Sequence, residues 1–486
     1  MARLAKELNI RRVLALTATA TPPVAEDIAR SFAIAEGDIV RTEFHRPNLT
    51  LKVFPCRNRD KSDRLTQRLS EVKGASIVYV TLQKTAEEVS AELQKRGFPA
   101  KAYHAGMKAE DRDAVQNWFM AEPDAVVVAT IAFGMGIDKA DIRAVYHYNL
   151  PKSPENYAQE IGRAGRDGKP AVCELLASSA DRLVLENFIF GDTPSEVTVR
   201  DVVRHLLQGP TEFDVSLYDL AYRFDIRPLV LETLTTYLEL RGLLQSTGPF
   251  YSKYDFLPLQ PSAAILARFD KDRADFLRSI FRRAVRRKEW FGLDVQEAAR
   301  VLKQPRERIV TALGFLEQKG DLKLKVSGAR RGFRRKNLST QDQDSLCRDL
   351  IKDFYQRETK DLNRLQKVLD YAEHQGCFTA YLLDYFGEAT LASCDHCGPC
   401  LGQPNTLLPD EPEPELGPGE IELLMGLQQE RHPALQSPRQ IARFVCGITS
   451  PASTRAKLRQ DPRFGRLADF PFRKVLQWLS PNDSES

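Results

Sequence analysis

Residues 126–170 constrain this chain more than any other stretch. Residues 126–130, Val-Val-Val-Ala-Thr, read as a strand buried on both faces. Gly134 and Gly136 break the loop that follows, which runs on to Asp138 and Lys139. Residues 144–148 read as a second strand. A helix then carries Gln159, Arg163 and Arg166, whose offsets of four and seven stack on one face. Two arginines fixed in this way suit a phosphate group, because guanidinium is planar, permanently charged and bidentate. A solvated helix face that merely ends in glycine would not require strand, glycine loop, strand and arginine helix in that order.

The alternation continues upstream. Residues 75–81 and 100–104 read as strands, and residues 85–97 and 110–120 as helices. Strands alternating with helices of this length predict a parallel sheet with flanking helices. Ligands sit at the carboxyl ends of such strands. That nominates Thr81, His104, Gly106, Thr130 and Gly134, each equally readable as a turn residue.

GMGIDK at 134–139 and QEIGRAGRDG at 159–168 resemble motifs V and VI of superfamily 2 helicases, specifically the RecQ DNA helicases. LTATAT at 16–21 is similar to motif III of the same proteins, and RPNL at 46–49 resembles the segment entering their second RecA-like domain. The resemblance implies a RecA-like α/β domain over residues 43–190. It implies that Arg163 and Arg166 reach ATP phosphates, with Arg166 preferred as the arginine finger and Gln159 positioning both. Gly136 and Asp138 would link nucleotide sensing to the DNA-contacting loop. Thr81, His104, Gly106 and Thr130 would contact the backbone of single-stranded DNA. Neither a P-loop nor an Asp-Glu-x-His occurs in the sequence. Residues 1–42 are therefore expected to be the end of a first RecA-like domain, with the rest of that motor half upstream or supplied in trans. The chain alone is expected not to hydrolyse ATP with its Mg2+.

Residues 191–265 read as a winged-helix-like unit. A helix starts at 216, a break follows at 225–228, then a helix at 229–241 and a short aromatic hairpin at 250–254. The pattern returns over 266–340, with a wing at 327–336 carrying Arg330, Arg331, Arg334, Arg335 and Lys336 around Phe333. Basic side chains around an exposed aromatic fit phosphate contact with base stacking; a solvated charged turn is the alternative. Between the units, Ile280, Phe281, Ala284 and Val285 read as an apolar helical stripe. Arg282, Arg283, Arg286 and Arg287 lie opposite it, facing phosphate or solvent.

Cys377, Cys394, Cys397 and Cys400 form a C-x16-C-x2-C-x2-C cluster, the donor set of a structural, tetrahedral Zn2+ site. His396 inside the cluster is the only credible substitute ligand, and the cysteines already suffice. The segment resembles the zinc module of RecQ helicases, here 341–402, whose metal would pin a helical arm over 342–375. Winged-helix-like units ahead of the zinc module match the Rothmund–Thomson-type branch better than the commonest RecQ order. Residues 403–420 read as a Pro/Glu/Gly-rich linker and 421–486 as a helical, locally basic module.

A net charge of only +4 excludes a globally polybasic protein, so any nucleic-acid footprint must be local. No run of eighteen apolar residues indicates a membrane span. Four of the eight cysteines are scattered, which fits a reducing, intracellular setting, cytoplasmic and nucleoid-associated. The expectation is an ATP-dependent 3′–5′ DNA helicase of recombination and repair, acting on single-stranded and fork or duplex DNA. This chain would carry the C-terminal part of the motor and the DNA-binding modules. The competing reading is a non-catalytic, zinc-stabilised winged-helix DNA-binding protein.

Overall fold

The computed structural model describes residue 5 and residues 10–134, 136–336, 340–389, 392–410 and 414–480. Met135 of the glycine loop, most of residues 1–9, part of the 403–420 stretch and the last residues of the tail lie outside them. The chain forms two compact units. One comprises Met1–Gly191, Tyr355–Ile448 and Pro462–Ser486; the other comprises Asp192–Phe354 and Thr449–Asp461.

The first unit is built on six strands: β1 (Leu49–Pro55), β2 (Ser76–Tyr79), β3 (Ala100–Tyr103), β4 (Val126–Ala129), β5 (Ala144–His147) and β6 (Ala171–Ala177). All pair in parallel, in the order β1-β6-β5-β2-β4-β3. Every residue of β2, β4 and β5 is buried. Such strands read as continuous apolar runs because helices cover both faces. Ile77, Val127 and Val145 point into one core with Phe119 and Tyr157, and Val78, Val128 and Tyr146 into another with Leu65 and Leu93. The helices are α1 (Pro22–Phe32), α2 (Lys61–Glu71), α3 (Gln83–Lys95), α4 (Ala109–Ala121), α5 (Pro154–Ile161) and α6 (Ala180–Asp192).

Residues 12–16, whose apolar run reads as a strand leading into the 16–21 segment, form exposed coil, with Leu14 81% and Leu16 83% exposed. A strand needs a hydrogen-bonded neighbour, and among the described residues none pairs with this segment.

The second unit holds a duplicated pattern. Its first copy is α7 (Glu196–Leu207), β7 (Glu212–Val215), α8 (Leu217–Arg223), α9 (Pro228–Leu240) and β8 (Leu244–Pro258). Its second copy is α10 (Lys271–Phe281), β9 (Val285–Arg287), β10 (Trp290–Asp294), α11 (Val295–Leu302), α12 (Arg306–Gln318) and β11 (Leu322–Arg335). The two copies share one antiparallel sheet, β7-β11-β8-β10-β9. β8 and β11 pair along nearly their whole length, from Leu322 opposite Pro258 to Arg335 opposite Leu244. Each strand starts in its own copy and ends in the other. Leu244 and Phe333 therefore meet in one core, while Phe256 and Leu322 meet in the other.

This ribbon replaces the separate hairpin and wing expected at 250–254 and 327–336. Phe333 is 1% exposed, because it fills the first copy's core. The helical stripe expected at 280–287 also differs: α10 ends at Phe281 and the chain turns into the β9–β10 hairpin. Arg287 pairs with Trp290, leaving Lys288 and Glu289 as a two-residue turn with Lys288 at φ 57°. Apolar residues at 280, 281, 284 and 285 satisfy a helix end followed by a strand as well as they satisfy one helix.

The helix α13 (Thr340–Ala372) is the expected arm. From Leu365 to Ala372 it joins the first unit's core, together with Cys377, Phe378, Leu382 and Cys397. The stretch expected as a linker begins by packing there too. Asn405 Nδ2 donates to the carbonyls of Ala372 and His374, and Leu408 N to Glu373 Oε1. In the tail, α15 (Pro418–Glu430), α16 (Pro438–Val445) and α17 (Phe472–Leu479) follow α14 (Phe378–Tyr385). Two of its arginines are structural, while Arg455, Lys457 and Arg459 are exposed. Arg439 Nη1 and Arg443 Nη2 donate to the carbonyls of Phe190 and Gly191 near the end of α6, where cations complement the helix terminus.

Candidate phosphate-sensing loops and metal centre

The carboxyl ends of β2, β3 and β4 bring Thr81, His104 and Thr130 to one edge of the parallel sheet, with the glycine loop beside them. Thr81 is half-buried and Gly106 exposed, whereas His104 (5%) and Thr130 (9%) are buried. His104 Nε2 lies 3.1 Å from Glu87 Oε1, and its backbone N–H points at Met107 Sδ. A Cβ on Gly106 would lie 2.5 Å from Gln83 Oε1, so the 104–107 turn approaches α3 closely.

Arg163 and Arg166 do not share a helical face with Gln159. The helix α5 ends at Ile161, and glycines at 162, 165 and 168 carry the chain through tight turns, with φ +53° at Gly165 and +77° at Gly168. Gln159 faces solvent, while Tyr157, Glu160 and Ile161 face the core. The turn is stapled by residues 46–48, whose sequence suggests only the entry to a RecA-like domain. Arg46 donates to the carbonyls of Gly162 (3.2 Å) and Gly165 (2.6 Å), and Asn48 Nδ2 to those of Gly165 and Lys169.

Both arginines instead clasp the glycine loop. Arg163, 8% exposed, donates through Nη1 to the Gly134 carbonyl. Arg166 Nη1 donates to the Ile137 carbonyl at 3.2 Å and to Asp138 Oδ1 at 3.0 Å. The Arg166 side chain is 37% exposed and that of Asp138 91%, and Gly136 is exposed as well. Gly134 sits at φ +150°, and a Cβ there would lie 2.1 Å from Arg163 Nη2. Tyr79 closes the loop from below, its Oη donating to the Phe133 carbonyl at 3.1 Å. Burial raises the Tyr79 hydroxyl above its ordinary value, so it remains a donor. Beside it lies a buried His147–Glu160 contact of 2.7 Å, which ties β5 to α5.

The four clustered cysteines converge as expected. Their Sγ atoms all lie within 4.8 Å of one another, with Cys377 and Cys397 3.9 Å apart. Tetrahedral zinc at about 2.3 Å from each sulfur requires sulfurs about 3.8 Å apart, so the donor set fits the ion. Burial raises the Cys377 and Cys397 thiols, while at Cys400 burial is outweighed by hydrogen bonds that lower it; four sulfurs this close are held together as thiolates by a cation. Cys377 caps α14 by accepting from Ala380 N, and Cys394 Sγ accepts from Cys397 N. His396 points elsewhere. Its Nδ1 meets the Leu49 carbonyl at 2.9 Å, and its Nε2 lies 3.2 Å from His45 Nε2. With Gly398 N donating to the Leu51 carbonyl, the metal knuckle is docked on edge strand β1.

The arginines expected on a wing are engaged within the second unit. Arg330 pairs with Asp214, Arg331 with Glu232, and Arg334 with Glu212 at 2.7 Å. The buried ring of Phe333 is closed to base stacking.

Two family models match the chain: the helicase conserved C-terminal domain over residues 60–168 and RecQ zinc-binding over residues 340–401. Among curated relatives, the probable ATP-dependent DNA helicase RecS of Bacillus subtilis is 35% identical over 46% of this chain and 46% of its own length. The ATP-dependent DNA helicase RecQ of the same organism is 39% identical over 40% of this chain and 33% of its own. The bifunctional 3′-5′ exonuclease/ATP-dependent helicase WRN of Mus musculus is 45% identical over 35% of this chain and 12% of its own. The matched stretch thus spans less than half of each relative.

Proposed function

This chain belongs to the RecQ family of superfamily 2 helicases and carries the C-terminal part of the motor, and from that premise we propose that it serves ATP-driven, 3′–5′ unwinding of DNA in recombination and repair. One observation carries the reading: both arginines of the 159–168 segment close on the 134–138 loop. Arg163, buried on Gly134, positions that loop. Arg166, more exposed and held by one solvent-facing carboxylate, is the group able to exchange Asp138 for a phosphate. A guanidinium so placed stabilises the charge that develops on a transferred phosphoryl group. ATP with its Mg2+ would be bound by the complete motor; no P-loop occurs in this sequence. Thr81 and Gly106 are the accessible groups for a single strand crossing the sheet edge; His104 and Thr130 support the turns beneath them. Cys377, Cys394, Cys397 and Cys400 would hold a zinc ion that fixes the arm and knuckle on the motor domain.

The test pairs this chain with a phosphate-binding RecA-like half, fused or supplied in trans. Arg166→Ala is expected to lower DNA-stimulated ATP hydrolysis by about a thousandfold with zinc content unchanged. Retained hydrolysis would overturn the assignment.

A further inference from the structure

We propose that the second unit grips double-stranded DNA by its phosphate backbones, using the solvent face of the sheet at its β9 edge. The inference rests on the reading that DNA is the substrate.

Strand register defines the face. Arg287 stands opposite Trp290, Gly292 opposite Asp255, and Asp255 opposite Lys325. Lys323 stands opposite Leu257, two residues along from Asp255. By the two-residue alternation of strands, Arg287, Trp290, Lys323 and Lys325 share one side. Phe291, Phe256 and Leu324 share the other and fill the core. Arg287, Lys288, Lys323 and Lys325 are exposed, and no carboxylate pairs with any of them among the described residues. Asp255, Asp294 and Glu289 are the acids on or beside this patch; with Lys253, which stands opposite Asp294, the cations outnumber them.

Many of the unit's other cations are engaged internally, although Arg282, Arg283 and Lys303 are exposed as well. The Arg330, Arg331 and Arg334 side chains of β11 are ion-paired. On α12, Arg306 donates to the Tyr251 carbonyl and lies over Phe250, and Arg308 donates to Gln304 and lies over Phe276. Glu307 and Glu317 offset what remains on that helix. Insertion of α12 into a groove therefore has little electrostatic drive.

The geometry selects duplex over single strand. A single-strand platform needs open aromatic faces for base stacking. At the β9 edge Lys325 Nζ lies over the Trp290 ring, 5.7 Å from its centroid, and Phe291 stacks inward on Phe256, while the exposed ring on this face, Tyr251, stands four residues away from Asp255 along β8. Three inter-strand spacings separate β9 from β11, placing Arg287 and Lys323 on lines about 14 Å apart. That is close to the ~12 Å width of a major groove, whose two walls are phosphate backbones. Charging an edge strand to block edge-to-edge pairing explains cations on β9 alone. It does not explain Lys323 and Lys325, which stand on the interior strand β11.

The experiment is fluorescence anisotropy on the full 486-residue chain. A labelled duplex of about 20 base pairs and the matching single strand are titrated across a salt series. Each phosphate neutralised by the protein steepens the salt slope by about 0.9. The variant R287A/K323A/K325A is expected to bind the duplex at least about tenfold more weakly, with the slope reduced by about 2.7. R273A/R278A/R300A removes the same net charge from helix-surface ion pairs in the same unit and is expected to leave the slope unchanged. Three results overturn the inference: equal duplex affinity and slope for the first variant, an equal loss in both variants, or wild-type preference for the single strand. If the wild-type chain binds neither DNA, the DNA reading itself fails and takes this surface with it.

Discussion

Gly134 is the residue on which the two arginines converge. Its φ of +150°, and the 2.1 Å that would separate Arg163 Nη2 from a Cβ at this position, leave no room for a side chain. Gly134→Ala is expected to cost about 2–4 kcal/mol, summing overpacking and backbone strain, measured as a shift in the denaturant midpoint. A second residue-scale test concerns Lys61, fully buried and 2.6 Å from Asp181 Oδ2. The same carboxylate accepts from Leu150 N and Asn149 Nδ2, locking the start of α6 to the turn after β5. Removing one partner of a buried pair strands the other charge, so Asp181→Asn is expected to lose about 3 kcal/mol or more; unchanged stability would refute the clamp. Little of this was legible in the sequence. The arginines stood out because they are spaced and embedded in a glycine-rich pattern. Apart from Asp138 their partners are backbone carbonyls, which carry no sequence signature, and the offsets of four and seven from Gln159 run on past Ile161 although the chain leaves the helix at Gly162 (φ −60°, ψ −6°).

At the scale of elements, the parallel strands were readable because burial on both faces demands unbroken apolar runs, as in Val126 to Ala129. The zinc knuckle was readable because four thiolates within one short segment have few other uses. The β8–β11 ribbon was not. Local alternation marks a strand without naming its partner, and here the partner lies far along the chain. The basic, glycine-dotted sequence at 327–336 imitates a turn, but Gly332 serves a bulge in the ribbon, where a Cβ would meet Thr247 Oγ1 at 2.2 Å. The distinction is testable. Phe333→Ala should cost about 3–5 kcal/mol as a core deletion, while duplex affinity of the folded fraction should not change. An exposed wing aromatic would give the opposite pair of results.

For the whole molecule, sequence order and packing part company. The zinc cysteines stand far from β6 in the chain, yet Cys377, Cys397 and Phe378 share a core with Cys173 and Leu175. The intervening residues fold as a unit with cores of their own. Sequence spacing alone placed the zinc module at a distance from the motor domain; the hydrophobic contacts that return it there are spread over α13 and α14 and form no local motif. Metal removal should therefore act on one unit. Chelation is expected to lower the melting transition that contains the parallel sheet and to leave the transition of the antiparallel unit in place, followed by calorimetry. A single transition shifting as a whole would contradict this division.

The central claim is that this chain holds the arginine-bearing half of a DNA motor together with its DNA-binding modules. The most direct test is ATP hydrolysis by the 486-residue chain with and without DNA, measured beside DNA binding on the same sample. The account predicts DNA binding with no hydrolysis above background, and hydrolysis gained when a phosphate-binding RecA-like half is supplied. DNA-stimulated hydrolysis by the chain alone would contradict it, because a phosphate cradle would then have to lie within these residues.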